Sequence, residues 1–102
     1  MPRRYLLVKV LHGGALTDQQ FHDAINTSVR IHFGDIGFSR IDPRIIKTYQ
    51  STSTSIVSCE RSALRELESA LALMTDCGGT SVTVIVLAVS GTIKGLRKRM
   101  GR

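Results

Sequence analysis

The chain closes on SGTIKGLRKRMGR, residues 90–102, a stretch with five cations and no acid. Guanidinium and ammonium groups at this density form charge-assisted hydrogen bonds with phosphate oxygens. Ser90 and Thr92 place hydroxyls on either side of Gly91. Either hydroxyl can cap a following helix, and the glycine lets another backbone come close or turns the chain through a positive φ. A helix starting here would direct free amide hydrogens and the positive end of its dipole at an anion. Ile93, Leu96 and Met100 then share one side, with Lys94, Arg97 and Lys98 opposite. An apolar face turned inward and a cationic face turned outward suit docking on a polyanion. Arg3, Arg4 and Lys9 add cations at the front of the chain. The candidate phosphate-contacting residues are therefore Arg3, Arg4, Lys9, Ser90, Gly91, Thr92, Lys94, Arg97, Lys98 and Arg99. The competing readings are a solubilising tail and a helix that merely packs.

Other chemistry is poorly provided for. Eight acids, Asp18, Asp23, Asp35, Asp42, Glu60, Glu66, Glu68 and Asp76, are scattered rather than clustered as a protein metal nuclease requires. Cys59 and Cys77 cannot close a zinc site and read as reduced small hydrophobes. His12, His22 and His32 show no common spacing, and Ser62 and Thr17 read as helix caps rather than nucleophiles. No metal site, bound cofactor or catalytic residue is expected of the protein.

Charge is segregated. Seven of the fourteen Lys and Arg residues lie at the two ends, leaving seven cations against eight acids between them. A near-neutral body thus carries cationic ends, within a net charge of +6. At 102 residues the chain reads as one domain, 1–102, with 90–102 as its basic terminal segment. The longest apolar run, Val82 to Val89, is far short of the ~20 residues of a membrane-spanning helix. The front segment lacks the small-residue cleavage site of a signal peptide, so an intracellular compartment is expected.

The elements that position these residues follow from periodicity. RYLLVKV (4–10) alternates, with Leu6, Val8 and Val10 on one side and Tyr5, Leu7 and Lys9 on the other, as in a strand. HGGAL breaks it. TDQQFHDAINTSVRIHFG predicts a helix, opened by a Thr17–Gln20 capping box and closed by Gly34, with a core stripe of Phe21, Ile25, Val29 and Phe33. DIGFSRIDP reads as a connector. RIIKTYQ (44–50) and SIVSCE (55–60) predict a hairpin around a hydroxyl-rich turn. Ser62 would cap a second helix with Leu64, Leu67, Ala70, Leu71 and Met74 inward, stopped by Asp76-Cys77-Gly78-Gly79. SVTVIVLAV (81–89) is the last strand.

The order β-α-β-β-α-β predicts an α+β fold of the ferredoxin-like kind, a sandwich with an antiparallel four-stranded sheet and two helices on one face, plus a short basic C-terminal helix. The expected strand order is 4-1-3-2. The last strand is apolar on both faces and would lie at an edge, so the terminal helix, a protein partner or both should cover it. Tyr5, Leu7, Ile85, Leu87 and Val89 are the candidate partner-binding residues. Aromatic residues are few on the strands, so RNA would be held through backbone charge and shape rather than by stacked bases.

RYLLVKV, FGDIG, IVSCER, ALAL and above all VSGTIKGLRKR resemble the Pop-five/Rpp-fourteen family of ribonuclease P protein subunits, in order across residues 3–99 and closest to its archaeal members. The resemblance implies a non-catalytic component that stabilises a catalytic RNA for removal of the 5′ leader from precursor tRNA. Any catalytic Mg²⁺ would be held by that RNA. The implied partners are ribonuclease P RNA, a TIM-barrel-like subunit of the Rpp-thirty type, a second copy of the chain and, in the holoenzyme, precursor tRNA. The location would be cytoplasmic in an archaeon, or nuclear and nucleolar in a eukaryote, where an MRP-type particle is a further setting. The alternatives are another RNA-binding scaffold, such as a ribosome-associated protein, and a ferredoxin-like dimerisation or regulatory module.

Overall fold

The computed structural model describes residues 2–12 and 16–100. The Gly13-Gly14 break and Arg102 lie outside the described residues. Five strands and three helices follow in the order β1 (Arg3–His12), α1 (Asp18–Ile41), β2 (Arg44–Tyr49), β3 (Thr54–Glu60), α2 (Leu64–Ala72), β4 (Asp76–Cys77), β5 (Thr80–Ser90) and α3 (Ile93–Arg99). The result is an α+β fold around one antiparallel sheet of order β2-β3-β1-β5-β4.

The sheet has five strands where sequence predicted four. Asp76-Cys77-Gly78-Gly79, read as a helix stop, instead makes a two-residue strand and a tight turn. Gly78 and Gly79 take φ of 58° and 91°, and Asp76 and Cys77 pair with Ser81 and Thr80. Positive φ at both turn positions is what a tight hairpin needs, and glycine adopts it without steric cost.

Helix α1 is opened by the expected capping box. Thr17 Oγ1 accepts from the Gln20 amide at 3.1 Å, and the Thr17 amide donates back to Gln20 Oε1 at 2.9 Å. Gly34 does leave helical geometry, with φ 72° and ψ −179°, but the helix resumes at once and runs to Ile41. DIGFSRI is therefore a second helical piece across a kink, not a connector. It ends on Asp42, in the left-handed region at φ 49°, whose amide donates to the Phe38 carbonyl. Ser62 does not cap α2. It sits in a single 3₁₀ turn, Arg61–Ala63, ahead of a helix start with no side-chain cap.

Two cores sandwich the sheet. On one face Leu6, Val8 and Val10 of β1, Val57 and Cys59 of β3, and Val82 of β5 bury against Phe21, Ile25, Val29 and Ile41 of α1 and Leu67, Ala70 and Leu71 of α2. The alternation of β1 made this face legible. On the other face Leu7 and Ile56 bury against Leu96 of α3, with Tyr5, Tyr49, Ala88, Ile93 and Met100 around them. The terminal helix, one of the two covers expected from sequence, thus packs on this second face.

Candidate nucleic-acid interface

Helix α3 is positioned at its start and along its underside. At its start the Thr92 hydroxyl accepts from the Gly95 amide at 2.9 Å, and the Ser90 hydroxyl accepts from the Thr92 amide at 3.3 Å. Glycine at 95 is a packing requirement: a Cβ there would lie 2.5 Å from Ser90 Oγ and 3.0 Å from Thr92 Oγ1. Along its underside Leu96 is fully buried on Leu7 and Ile56, strand residues directly opposite one another. Burying a leucine side chain of this size is worth roughly 1.5–3 kcal/mol.

With Leu96 inward, Lys94, Arg97, Lys98 and Arg99 are all exposed. The ion pairs among the described residues use Arg3, Arg30, Arg40 and Arg44, and none uses a cation of α3. The helix therefore presents four charges that the protein's own carboxylates leave unneutralised. Arg4 extends this surface. Its guanidinium lies beside Gly91, where an added Cβ would come within 3.4 Å of Nη1. Pairing of Tyr5 with Ser90 is what brings these segments together. Lys9 points to the β2–β3 turn, donating from Nζ to the Thr52 carbonyl at 3.3 Å.

Arg3 is placed differently from the other candidates. Its guanidinium turns inward and donates to Asp42 Oδ2 at 2.8 Å, the Asp42 carbonyl at 2.7 Å, Ser58 Oγ at 2.8 Å and Glu60 Oε2 at 3.4 Å. It ties the left-handed cap of α1 to β3 and has no donors left facing a ligand. Sequence spacing could not reveal this, because Asp42 meets Arg3 only once α1 has crossed the sheet.

The candidate partner residues separate in the same way. Leu7 lies under Leu96, and Tyr5 packs beside it. Val89 faces the α1/α2 core, contrary to expectation. The register between β1 and β5 slips at Leu7/Val8, where Leu7 faces Ala88 and Val8 faces Val86. That bulge reverses the alternation of β5, sending Val89 to the helix side and Ala88 to α3. Ile85 and Leu87 remain exposed, joined by Leu11 on β1, which sequence reading missed.

Sequence reading also missed Lys47, Tyr49, Ser51 and Thr52. With Arg97 and Met100 they line a cleft of about 330 Å³ between the β2–β3 turn and α3. The signal present was only an exposed Lys two residues from a Tyr. Among the described residues no three His, Cys, Asp or Glu side chains gather to hold a metal ion. None of the described helices is long and apolar enough to cross a membrane.

Comparison with known proteins bears on this arrangement. A chain in the cryo-EM structure of yeast ribonuclease MRP has the same fold, with TM-score 0.74 over 98% of this chain and 89% of that one, at 12% identity. By sequence the chain is 30% identical over 97 residues to ribonuclease P protein component 2 of Pyrococcus furiosus, covering 95% of this chain and 81% of that one. The Pyrococcus abyssi protein of the same name is 34% identical over 97 residues, covering 94% and 81%. The ribonuclease P/MRP protein subunit POP5 of Schizosaccharomyces pombe is 33% identical over 107 residues, covering 89% and 77%. The model of the Rpp14/Pop5 family matches residues 4–101, from the first strand through the terminal helix that carries the unpaired cations, and the chain belongs to that family.

Proposed function

We propose that this chain is a non-catalytic protein subunit of ribonuclease P that binds the particle's RNA through α3 and stabilises its active form for 5′-leader removal from precursor tRNA. One observation carries the reading: α3 is pinned to the sheet by Leu96 while Lys94, Arg97, Lys98 and Arg99 stay exposed and unpaired, in a chain whose relatives are named as ribonuclease P components. Neutralising phosphates near the RNA's own charge lowers the cost of folding it compactly. Chemistry at the scissile phosphate belongs on this reading to Mg²⁺ held by the RNA, and the protein holds none. Its carboxylates have other work: Asp42 and Glu60 accept from Arg3, and Glu66 accepts from Arg40.

Further parts of the reading concern surroundings. The long strands and the α1/α2 layer fit a ferredoxin-like sandwich elaborated by β4 and α3. A TIM-barrel-like subunit or a second copy of the chain would find Leu11, Ile85 and Leu87 available as apolar anchors. The particle would work in the cytoplasm of an archaeal cell, or in the nucleus and nucleolus of a eukaryotic one.

Reconstitution tests the proposal. Cleavage of precursor tRNA by the cognate RNA should rise when the chain and its partner subunit are added, most strongly at low Mg²⁺. Absence of any gain across Mg²⁺ concentrations would overturn it.

A further inference from the structure

The cleft between the β2–β3 turn and α3 differs from the neighbouring clefts of similar size in being lined by both a lysine and an arginine. Lys47 and Arg97 are the only formal charges among its described lining residues, so no carboxylate opposes an anion there. Lys47 Nζ lies 5.3 Å from the centre of the Tyr49 ring, a cation–π contact that orients the ammonium without neutralising it. Neither cation pairs with a carboxylate among the described residues. The rim turn is fixed from beneath, where Thr52 Oγ1 bonds Thr54 Oγ1 at 2.7 Å and Lys9 Nζ bonds the Thr52 carbonyl. Ser51 remains exposed at the mouth with its hydroxyl available.

From this geometry we infer that the cleft holds one sugar–phosphate unit of a single RNA strand, with Lys47 and Arg97 on the phosphate and the Ser51 hydroxyl on the ribose 2′-OH. The inference rests on the RNA-binding reading above and adds to it a second wall, supplied by β2 and its turn. A volume of about 330 Å³ is at the small end of ligand clefts, which run from ~300 to ~1,000 Å³, and suits one nucleotide unit rather than a duplex. Arg97 can meet two phosphate oxygens with its fork while Lys47 acts as a point charge, so the two cations are complementary on one phosphate. The 2′-OH is the group by which a protein tells RNA from DNA, and a free hydroxyl beside a phosphate site is placed to sense it.

The test uses the intact chain with a fluorescently labelled oligouridylate and its 2′-deoxy counterpart of equal length, titrated over a range of salt. Lys47→Gln should reduce the magnitude of the log–log salt slope by about one, as expected for loss of one phosphate contact. Arg65→Gln, at an exposed position on α2 on the opposite side of the sheet, should leave the slope unchanged. The wild-type chain should prefer the ribose strand by about two- to tenfold, the worth of one hydrogen bond, and Ser51→Ala should abolish that preference. Melting temperatures keep folding defects separate from binding defects. An unchanged slope in folded Lys47→Gln, equal affinity for the two strands, or no binding of oligouridylate by the wild type would each overturn the inference. If cleavage by the reconstituted particle still rises on adding the chain, only the cleft assignment falls; if cleavage does not rise, the functional reading falls.

Discussion

Arg3 shows how one side chain can be claimed by the fold instead of the ligand. Its bonds to Asp42, Ser58 and Glu60 leave the side chain 13% exposed, against 37% and 21% for the two carboxylates. Arg3→Ala should therefore lower stability by about 1–2 kcal/mol, discounted for the solvent reaching Asp42 and for the Arg44 partner it keeps. Urea denaturation measures this, and RNA affinity under native conditions should hardly change. Cys59 supplies a pH signature. Burial is the main cause that pushes its thiol from an ordinary 9.0 up to about 11, with the Arg3 guanidinium pulling the other way. The unfolded chain loses its thiol proton first as pH rises. The contribution of Cys59 is thus full below pH 9.0 and is lost as pH climbs through about 11. The stability gap between wild type and Cys59→Ala should narrow across that window in urea titrations, and a constant gap would contradict the assignment.

At the scale of elements the kink in α1 and the docking of α3 are the features most exposed to substitution. Gly34 sits at φ 72°, ψ −179°, a region almost closed to residues with a Cβ, although nothing lies within 4 Å of where a Cβ would stand. Gly34→Ala should cost about 1–3 kcal/mol through the backbone alone. A melting temperature equal to wild type would show that the kink is not required. Leu96→Ala should cost about 2–3 kcal/mol, the low end for buried leucines because the core beneath α3 is small. It should also raise proteolysis within residues 90–100 before the rest of the chain.

The same elements mark what sequence could and could not reveal. Alternation in β1 and the stripes of α1 and α2 were readable because each element presents one face to one core. The underside of α3 was readable for the same reason, from Ile93, Leu96 and Met100. The bulge opposite Leu7/Val8 was not, because β5 is apolar on both faces and its pattern is indifferent to a slip of one residue. Gly-Gly at 78–79 carried the hairpin signal, but with only two residues on its near side it read as a helix stop. Lys47 and Tyr49 gain meaning only when α3 folds back over the sheet beside them, a juxtaposition set by tertiary structure.

The whole molecule is a layered body with its charges sorted. On the α1/α2 side Arg40 pairs with Glu66 and Arg30 with Asp35, while α3 on the opposite face carries cations with no ion-pair partner among the described residues. This separation lets one face pack and the other meet phosphate without competition between the two. Four to six phosphate contacts would give a log–log salt slope of roughly −3 to −5 for binding to structured RNA. The central claim is that α3, held in place by Leu96, is the surface that meets the RNA. The most direct measurement is that slope for the cognate ribonuclease P RNA, taken for the intact chain and for the double variant Arg97→Glu, Lys98→Glu. The double variant should keep the wild-type melting transition, bind more weakly, and show a slope smaller in magnitude by about two. A folded double variant with the wild-type affinity and slope would contradict the account.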